Sequence, residues 1–462
     1  MSSYSPQEVV EQALAASKAD GQVAFVVESS EANLRWASNS LTTNGAMRSR
    51  QVVVVSFVDG SAGMATGTVT RSGAPDIPEL VAASEQAARD AGPAEDAVPL
   101  VSDQPACGGD WDAEPAETSI EVFAEFAPAL GEAFGNARDR GDLLFGFAEH
   151  RMTSTYLGTS TGLRLRHDQP TGRVELNGKS PDFGRSVWAG SGTRDFRDVS
   201  VADLAADVQR KMAWSARRVE LPAGRYETLL PPSAVSDLMI YLHWTMEARD
   251  ADEGRNVFAR PGGGNRIGER LAALPLTLCS DPAAPGLETA PFQVVGASSG
   301  SASVFDNGMA TPAVNWIENG VLTNLIRPRA WALRTTAPAT AAVDNLILED
   351  PTSTTSPEEM LAATDRGLLL TTLWYIREVD PQTLLLTGLT RDGVFLVEGG
   401  EVTGAVNNFR FNESPVDLLG RTVQAGRTER TLPREWNDWF TRAAMPPLRV
   451  PDFNMSSISP AS

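Results

Sequence analysis

Apolar residues recur at helical spacing in several parts of the first half of the chain. A period of three to four residues is typical of amphipathic helices. The residues after Ser5 begin the first helix, because Pro6 suits the first helical position and Glu8 completes a capping box with Ser5. The other helices predicted in this half are 77–91, 119–137 and 201–217.

Runs rich in β-branched and apolar residues lie between these helices and predict strands. These runs are 23–27, 33–37, 51–58 and the stretch 143–166, which is interrupted by Gly158 and Gly162. From 171 to 199, glycine, serine and charged residues dominate, and we expect surface loops there. Helices and strands therefore alternate in the first half, as in an α/β domain.

The second half of the chain is predicted to be mostly β. Two hairpins are indicated, with turns at Asn319-Gly320 and Gly399-Gly400, because such dipeptides supply the positive φ angles of tight turns. A helix capped by Ser356, a long buried strand at 368–379 and a last edge strand at 446–458 complete the prediction.

The length of the chain and the position of its proline and glycine residues predict two domains. A chain of 462 residues with 42% hydrophobic residues can build two domain cores. Proline and glycine cluster at 221–232, which is where linkers are expected. We therefore predict an α+β protein with an N-terminal α/β domain with a mixed sheet at 1–220 and a mainly β C-terminal domain at 221–462.

Net charge and cysteine content exclude several classes of function. Acidic residues outnumber basic ones 59 to 39, and a net charge of -20 would repel a nucleic-acid backbone. No apolar run approaches the roughly 18 residues of a membrane span, and the N-terminus lacks a signal-peptide pattern. We therefore expect a cytoplasmic protein. We expect neither nucleic acid nor a membrane as its partner. Cys107 and Cys279 are too few for a disulfide framework, and we expect ordinary thiols.

The stretch 233–270 carries the most informative pattern. Leu238, Leu242 and Met246 form one apolar face, which predicts a helix that carries His243 and breaks near Gly254. The sequence LHWTMEARDADEGRN, followed by RIGERLA, resembles the signature segment of the TldD/PmbA (TldE) peptidase family. In the catalytic TldD branch that segment contains His-Glu-x-x-x-His.

Two further blocks resemble the same family, and the resemblance extends over nearly the full length. Residues 377–406 with the following 407–411 are similar to its C-terminal block, which contains a Glu-x-Gly hairpin. Residues 306–308, followed by Thr311-Pro312 and the hairpin at 317–320, are similar to its central block.

The family's metal ligands are mostly missing at the matching positions. The first histidine corresponds to His243, the adjacent glutamate to Trp244 and the second histidine to Ala248. The third family ligand is a cysteine near the C-terminus, and neither cysteine nor histidine follows Cys279. One neutral imidazole cannot hold zinc, so we predict no metal ligand and no catalytic residue in this chain. We expect Trp244 to be a buried side chain that fills the volume of the missing water.

The resemblance therefore implies a TldE/PmbA-like subunit that lacks the zinc-binding motif. Such a subunit pairs with a homologous TldD-like catalytic subunit, which would carry the zinc, and the assembly processes unfolded peptides. The sequence leaves open a homodimer, as well as a self-associating peptide-binding or scaffold protein without a peptidase partner. The hairpins at Asn319 and Gly399 and the last strand are the candidate pairing edges.

Two other interpretations of single motifs are weaker. His243 and Glu247 are four residues apart and could face one cavity, where Asp250 would complete a site for a hard cation; the simpler interpretation is a satisfied histidine beside solvated charges. Gly296–Gly300 matches the G-x-S-x-G elbow of serine hydrolases around Ser298. That motif requires a following helix and a later histidine, and the sequence offers neither.

Overall fold

The structure is a computed structural model that describes residues 4–102 and 108–460, so Cys107 lies outside the described residues. The first part of the chain folds as a sheet with helices packed on it. Its helices are α1 (Pro6–Ala16), α2 (Ile77–Asp90), α3 (Phe126–Arg140) and α4 (Val201–Trp214), and a short 3-10 turn spans Ile120–Phe123. Its strands are β1 (Gly21–Ala37), β2 (Ser40–Gly60), β3 (Gly63–Ser72), β4 (Leu143–Thr159), β5 (Arg164–Lys179) and β6 (Ser186–Thr193).

The predicted start of α1 is confirmed in detail. The Ser5 hydroxyl accepts the Glu8 N–H at 3.2 Å, and the Glu8 carboxylate accepts the Ser5 N–H at 2.7 Å. Two otherwise unpaired donors of the helix end are satisfied in this way.

The six strands form one sheet in the order β3-β2-β1-β4-β5-β6, with antiparallel neighbours throughout. Side chains of β1 alternate between the two faces of the sheet, and the even-numbered ones face the helices. Ala24 and Val26 pack with α1 and α2, and Leu34 and Trp36 pack with α3 and α4. The opposite face, which includes Phe25, packs against the segment 292–305 from the second half of the chain. The helices thus cover one face of the sheet, and the later part of the chain covers the other.

The prediction of loops at 171–199 is wrong, because β5 and β6 occupy most of this stretch. The glycines that suggested loops are needed for close packing. A Cβ atom at Gly178 would lie 2.4 Å from a methyl carbon of Val208 on α4, and one at Gly192 would lie 2.7 Å from the Thr441 carbonyl oxygen. Glycine in a strand often marks such a close approach rather than a turn.

The second part of the chain is dominated by strands. Its helices are α5 (Pro232–Trp244), α6 (Ala248–Asp252), α7 (Arg329–Thr335), α8 (Pro357–Ala362) and α9 (Pro415–Arg421). Its strands are β7 (Arg218–Val219), β8 (Gly224–Leu230), β9 (Thr277–Ser280), β10 (Val314–Glu318), β11 (Val321–Leu322), β12 (Leu346–Glu349), β13 (Arg366–Leu370), β14 (Leu373–Asp380), β15 (Leu385–Thr390), β16 (Val394–Glu398), β17 (Glu401–Val406), β18 (Phe409–Glu413), β19 (Gln424–Ala425), β20 (Glu429–Thr431), β21 (Ala443–Met445) and β22 (Leu448–Ile458).

These strands form a six-stranded sheet, β11-β10-β9-β12-β21-β20, and a ten-stranded sheet, β14-β15-β18-β22-β8-β13-β16-β17-β7, in which β19 also pairs with β22. Parallel pairs occur in both, for example β12 with β21 and β8 with β13. The α+β fold class is confirmed, and so are both predicted hairpins. The division of the chain at residues 220 and 221 stays a prediction.

Two strand predictions need correction. The stretch 368–379 is broken at Thr371-Thr372 into β13 and β14, where the Thr371 hydroxyl donates to the Gly393 carbonyl oxygen. The last strand, β22, is not an edge strand, because β18 and β8 pair with it on its two sides. It therefore cannot accept an added peptide strand. No helix in the described parts of the chain is long and apolar enough to cross a membrane.

Candidate functional site

Helix α5 places the predicted site in the core of the second part of the chain. Its apolar side chains are buried around the whole helix, including Val235, Leu238, Ile240 and Leu242. The helix ends at Trp244, ten residues before the predicted break at Gly254. The Met246 carbonyl oxygen accepts the Ile326 N–H at 2.7 Å, and the Ala248 N–H donates to the Ile326 carbonyl oxygen at 2.9 Å. This bridge draws 246–248 out of the helical path.

His243 lies on the last turn of α5 and is enclosed by aromatic side chains. Its ring centroid is 5.0 Å from that of Trp316 and 6.4 Å from that of Phe440. Within the described chain, neither imidazole nitrogen has a hydrogen-bond partner. Burial lowers the pKa of His243 to about 4, because a charged imidazolium would lose its water without gaining a compensating partner. The ring is therefore neutral near pH 7.

Trp244 differs from the expectation that it fills a buried volume. Its side chain is 38% exposed. Its ring packs edge-on against Trp436, with centroids 5.1 Å apart, and lies 6.4 Å from Tyr241. Trp244 is thus part of a half-exposed aromatic cluster rather than of the enclosed core beside His243.

Glu247, Ala248 and Asp250 are not brought together with His243. Glu247 follows the end of α5, and its carboxylate lies against Gly300, where a Cβ atom would be 2.1 Å from a carboxylate oxygen. Its pKa is raised, first by burial and then by the nearby Asp250. Asp250 accepts a hydrogen bond from Arg255 at 2.6 Å, and Ala248 is fully buried. Among the described residues no group of three or more His, Cys, Asp or Glu side chains could hold a metal, so this geometry lends the hard-cation interpretation no support.

The segment Arg434–Phe440 also packs against this region, and the sequence pattern did not predict it. The fully buried Asp237 of α5 holds it in place, since its carboxylate accepts the N–H groups of Arg434 at 3.2 Å and Glu435 at 2.9 Å. Burial raises the pKa of Asp237 well above its usual range, and these two donors oppose the shift. The sequence did carry a signal, because three aromatic residues fall within 436–440 of an otherwise polar tail.

Arg434 joins this segment to the first sheet. Its guanidinium donates to the Glu175 carboxylate of β5 at 2.8 Å and lies 5.5 Å from the Trp188 ring and 4.6 Å from the Trp374 ring. Trp188 also donates to Glu175, at 2.7 Å. The carboxylate and the two rings stabilise this largely buried cation, although its Nε has no hydrogen-bond partner in the described chain, and they fix the segment against both parts of the chain.

Ser298 has no hydrolase geometry. Its hydroxyl donates to Asp96 at 2.6 Å, and the segment after it contains only a 3-10 turn at Val304–Asp306. The histidine nearest in sequence, His243, faces Trp316 instead. The other two histidines bond elsewhere, His150 to Thr118 and His167 to Gln169. The serine-hydrolase alternative finds no support in this arrangement.

The residues around His243 do not fit the zinc site that the family resemblance implies. Zinc in proteins is bound by nitrogen, sulfur or carboxylate oxygen ligands, usually three or four of them. The aromatic side chains that pack against His243, Trp316 and Phe440, supply none. No group of three or more His, Cys, Asp or Glu residues in positions 4–102 and 108–460 is arranged to hold a metal.

Comparison with known proteins gives a consistent family assignment. A family model described as the PmbA/TldA metallopeptidase C-terminal domain matches residues 223–457. The structure is similar to that of TldE from Thermococcus kodakarensis, with a TM-score of 0.77, 16% identity, and coverage of 96% of this chain and 98% of that one.

Two structures described as putative modulators of DNA gyrase are equally similar. The one from Thermotoga maritima has a TM-score of 0.77 and 17% identity, and covers 97% of this chain and 99% of its own. The one from Bacteroides thetaiotaomicron has a TM-score of 0.76 and 14% identity, and covers 98% of each chain. At such identities these likenesses describe the fold alone. The search of curated proteins found no match.

Proposed function

Because this chain belongs to the PmbA/TldD metallopeptidase family, we propose that it is a non-catalytic, TldE/PmbA-like subunit of a cytoplasmic peptidase assembly. A homologous TldD-like subunit supplies the zinc and the chemistry. The substrate is an unfolded peptide. This chain contributes structure and surface to the assembly.

One observation carries this proposal. The only histidine that matches a family ligand, His243, is buried against Trp316 and Phe440 with both ring nitrogens unpartnered in the described chain. A ligand or general base must present a nitrogen to a metal or a reacting group. An imidazole with a pKa of about 4 and no open approach is suited to core packing instead.

Zinc content provides the first test. The purified chain should contain far less than one zinc per molecule, because positions 244 and 248 hold tryptophan and alanine. Elemental analysis that finds about one zinc per chain, retained through gel filtration, would contradict the proposal.

Reconstitution provides the second test, with a relative that carries His-Glu-x-x-x-His. Peptide hydrolysis by the pair should require both subunits, and His243→Ala in this chain should change the rate by no more than a few fold. His167→Ala is the control, since His167 is a partly buried histidine on β5, outside α5. A loss of more than about a hundredfold with assembly intact would place His243 in the chemistry.

A further inference from the structure

A cavity of about 480 Å³ lies between the first and second parts of the chain. Helix α4 and strand β6 line one side of it, and the start of α5, helix α8, strand β20 and the end of β13 line the other. Its volume falls within the roughly 300–1,000 Å³ of small-molecule sites, which often lie where two parts of a protein meet. Neither His243 nor Trp244 lines this cavity, so it is separate from the site described above.

Helix α4 uses one face for the core and another for the cavity. Val208 and Met212 are buried against the first sheet. Leu204, Lys211 and Trp214 are spaced by seven and three residues, which places them together on another face, and all three are half-buried and line the cavity. The core contacts therefore hold the helix in place, and the second face is available to contact a ligand.

The walls of the cavity are mainly apolar. The start of α5 contributes Pro231 and Pro232, and helix α8 contributes Leu361. The Trp214 ring packs edge-on against Phe395, with ring centroids 5.3 Å apart, which fixes its orientation. Proline and tryptophan side chains have little conformational freedom to lose on binding, so these walls favour a flat apolar body.

The start of α5 brings unpaired donors to the same cavity. Pro231, Pro232 and Ser233 all line it, so the first turn of the helix faces it. Pro231 at the cap position provides no side-chain acceptor, and the N–H groups of Ser233 and Ala234 have no hydrogen-bond partner in the described chain. Such N–H groups and the partial positive charge of a helix start favour an acceptor that carries negative charge.

The charges on α4 indicate the same kind of ligand. The Asp207 carboxylate forms ion pairs at 2.6 Å with both Arg210 and Lys211, so one negative charge balances two positive ones. The Lys211 ammonium also donates to the Trp188 carbonyl oxygen at 2.9 Å, which leaves one of its three N–H groups for a further acceptor. This wall of the cavity therefore carries an excess of one positive charge.

The remaining charged residues of the lining are paired or exposed. Arg430 forms an ion pair with Asp198 at 2.7 Å, and Glu429 forms one with Arg427 at 2.7 Å. Glu358 is exposed to solvent, where salt screens its charge. The excess charge that a ligand meets inside the cavity is therefore that of the α4 wall.

We propose that this cavity binds a small carboxylic acid with a flat apolar body. The carboxylate accepts hydrogen bonds from the start of α5 and from Lys211, and the body packs against Trp214 and Leu361. Apolar walls with a few converging polar groups are the usual composition of a ligand site. Binding here requires neither a metal at His243 nor a partner subunit, so it can be measured on the chain alone.

Calorimetric titration of the full chain with naphthalene-2-carboxylate tests the ligand class. We expect one site per chain with a dissociation constant below about 1 mM. Naphthalene-2-carboxamide has the same body without the charge and should bind about tenfold more weakly, and the cation naphthalen-2-ylmethylammonium should bind more weakly still. No saturable binding of the carboxylate up to about 5 mM overturns the proposal, as does equal affinity for the carboxylate and the cation.

Three variants test the location of the site. Lys211→Met removes the charge, and should weaken the carboxylate by about tenfold while leaving the carboxamide within about twofold. Lys179→Met is the matched control, because Lys179 is a half-buried lysine that lies over the Phe145 and Phe183 rings on β5 and does not line the cavity. Leu361→Trp fills the cavity and should prevent binding of both compounds.

Thermal unfolding of each variant confirms that the chain is folded before titration. Equal effects of Lys211→Met and Lys179→Met on the carboxylate would show that its charge is not recognised in this cavity. Unchanged binding to folded Leu361→Trp would place the compounds elsewhere on the chain. Either result overturns the assignment of the ligand to this cavity.

Discussion

The replacement His243→Leu tests the description of the candidate site most directly. Leucine has a volume close to that of histidine but neither polar nitrogens nor a titratable group. In the structure both nitrogens of His243 are buried without partners in the described chain, and Trp316 packs edge-on against the ring. The substitution therefore exchanges an unsatisfied polar group for an apolar one in an apolar setting.

Two effects oppose each other at pH 7. Removing an unsatisfied buried polar group is worth about 1–3 kcal/mol of unfolding free energy. Loss of the aromatic contact with Trp316 costs about 0.5–1.5 kcal/mol. We therefore expect His243→Leu to be neutral or more stable than the native chain by up to about 2 kcal/mol at this pH.

The pH dependence of this stability difference tests the interpretation more sharply than its value at pH 7. The folded pKa of about 4 lies below the ordinary value near 6.5, so the unfolded chain binds more protons between these two values. Native stability therefore falls as the pH drops from about 6.5 to about 4, with a full loss of about 3 kcal/mol and about 2 kcal/mol already lost at pH 5. His243→Leu lacks this loss, so its advantage over the native chain should grow by about 2 kcal/mol between pH 7 and pH 5.

Urea unfolding followed by tryptophan fluorescence at both pH values measures this difference. Comparing each variant with the native chain cancels the carboxylates that also titrate. Leu242→Met is the matched control, because it alters packing at the neighbouring buried position and retains His243. Its difference from the native chain should be the same at pH 7 and pH 5. An equally constant difference for His243→Leu would refute the reasoning, since it would mean that the imidazole has the same pKa in both states.

Three further predictions follow from the structure. Asp237→Ala leaves two half-buried N–H groups of the 434–440 segment unpaired, and should cost about 2–4 kcal/mol in urea unfolding and speed proteolysis within that segment. Gly67→Ala should destabilise the chain by more than about 2 kcal/mol in the same assay, because its Cβ would lie 2.3 Å from a backbone nitrogen of α2. The control Gly131→Ala has open space around it in α3 and should be neutral or stabilising. The double change Trp244→Glu with Ala248→His should not yield tight zinc binding by calorimetry, since position 248 lies beyond the end of α5 and no third ligand is at hand.

Local sequence chemistry predicted the local structure well. The capping boxes at Ser5 and Ser356 are present, and the turns at Asn319 and Gly399 form as expected because these residues tolerate positive φ. Such features depend on a few neighbouring residues. They are therefore visible without knowledge of the tertiary fold.

Predictions that required tertiary information were less successful. The glycines of β5 and β6 resemble loop glycines in the sequence, but they allow α4 to approach closely at Gly178 and the Thr441 carbonyl oxygen to approach closely at Gly192. Helical periodicity continued past Trp244, yet the bridge to Ile326 ends the helix there. The last strand carries the alternation expected of any half-buried strand, and only the pairing of β8 and β18 on its two sides makes it central. Partners distant in sequence decide all three cases.

Packing against residues distant in sequence also explains why the region around His243 differs from a metal centre. The three matched positions of the family's helix motif have other structural uses in this chain: His243 packs on Trp316, Trp244 packs on Trp436, and the Ala248 N–H bonds the Ile326 carbonyl oxygen. Restoring one ligand would therefore disturb packing without completing a coordination shell. This reasoning favours a role in which the chain acts through its surfaces rather than through a metal held at His243.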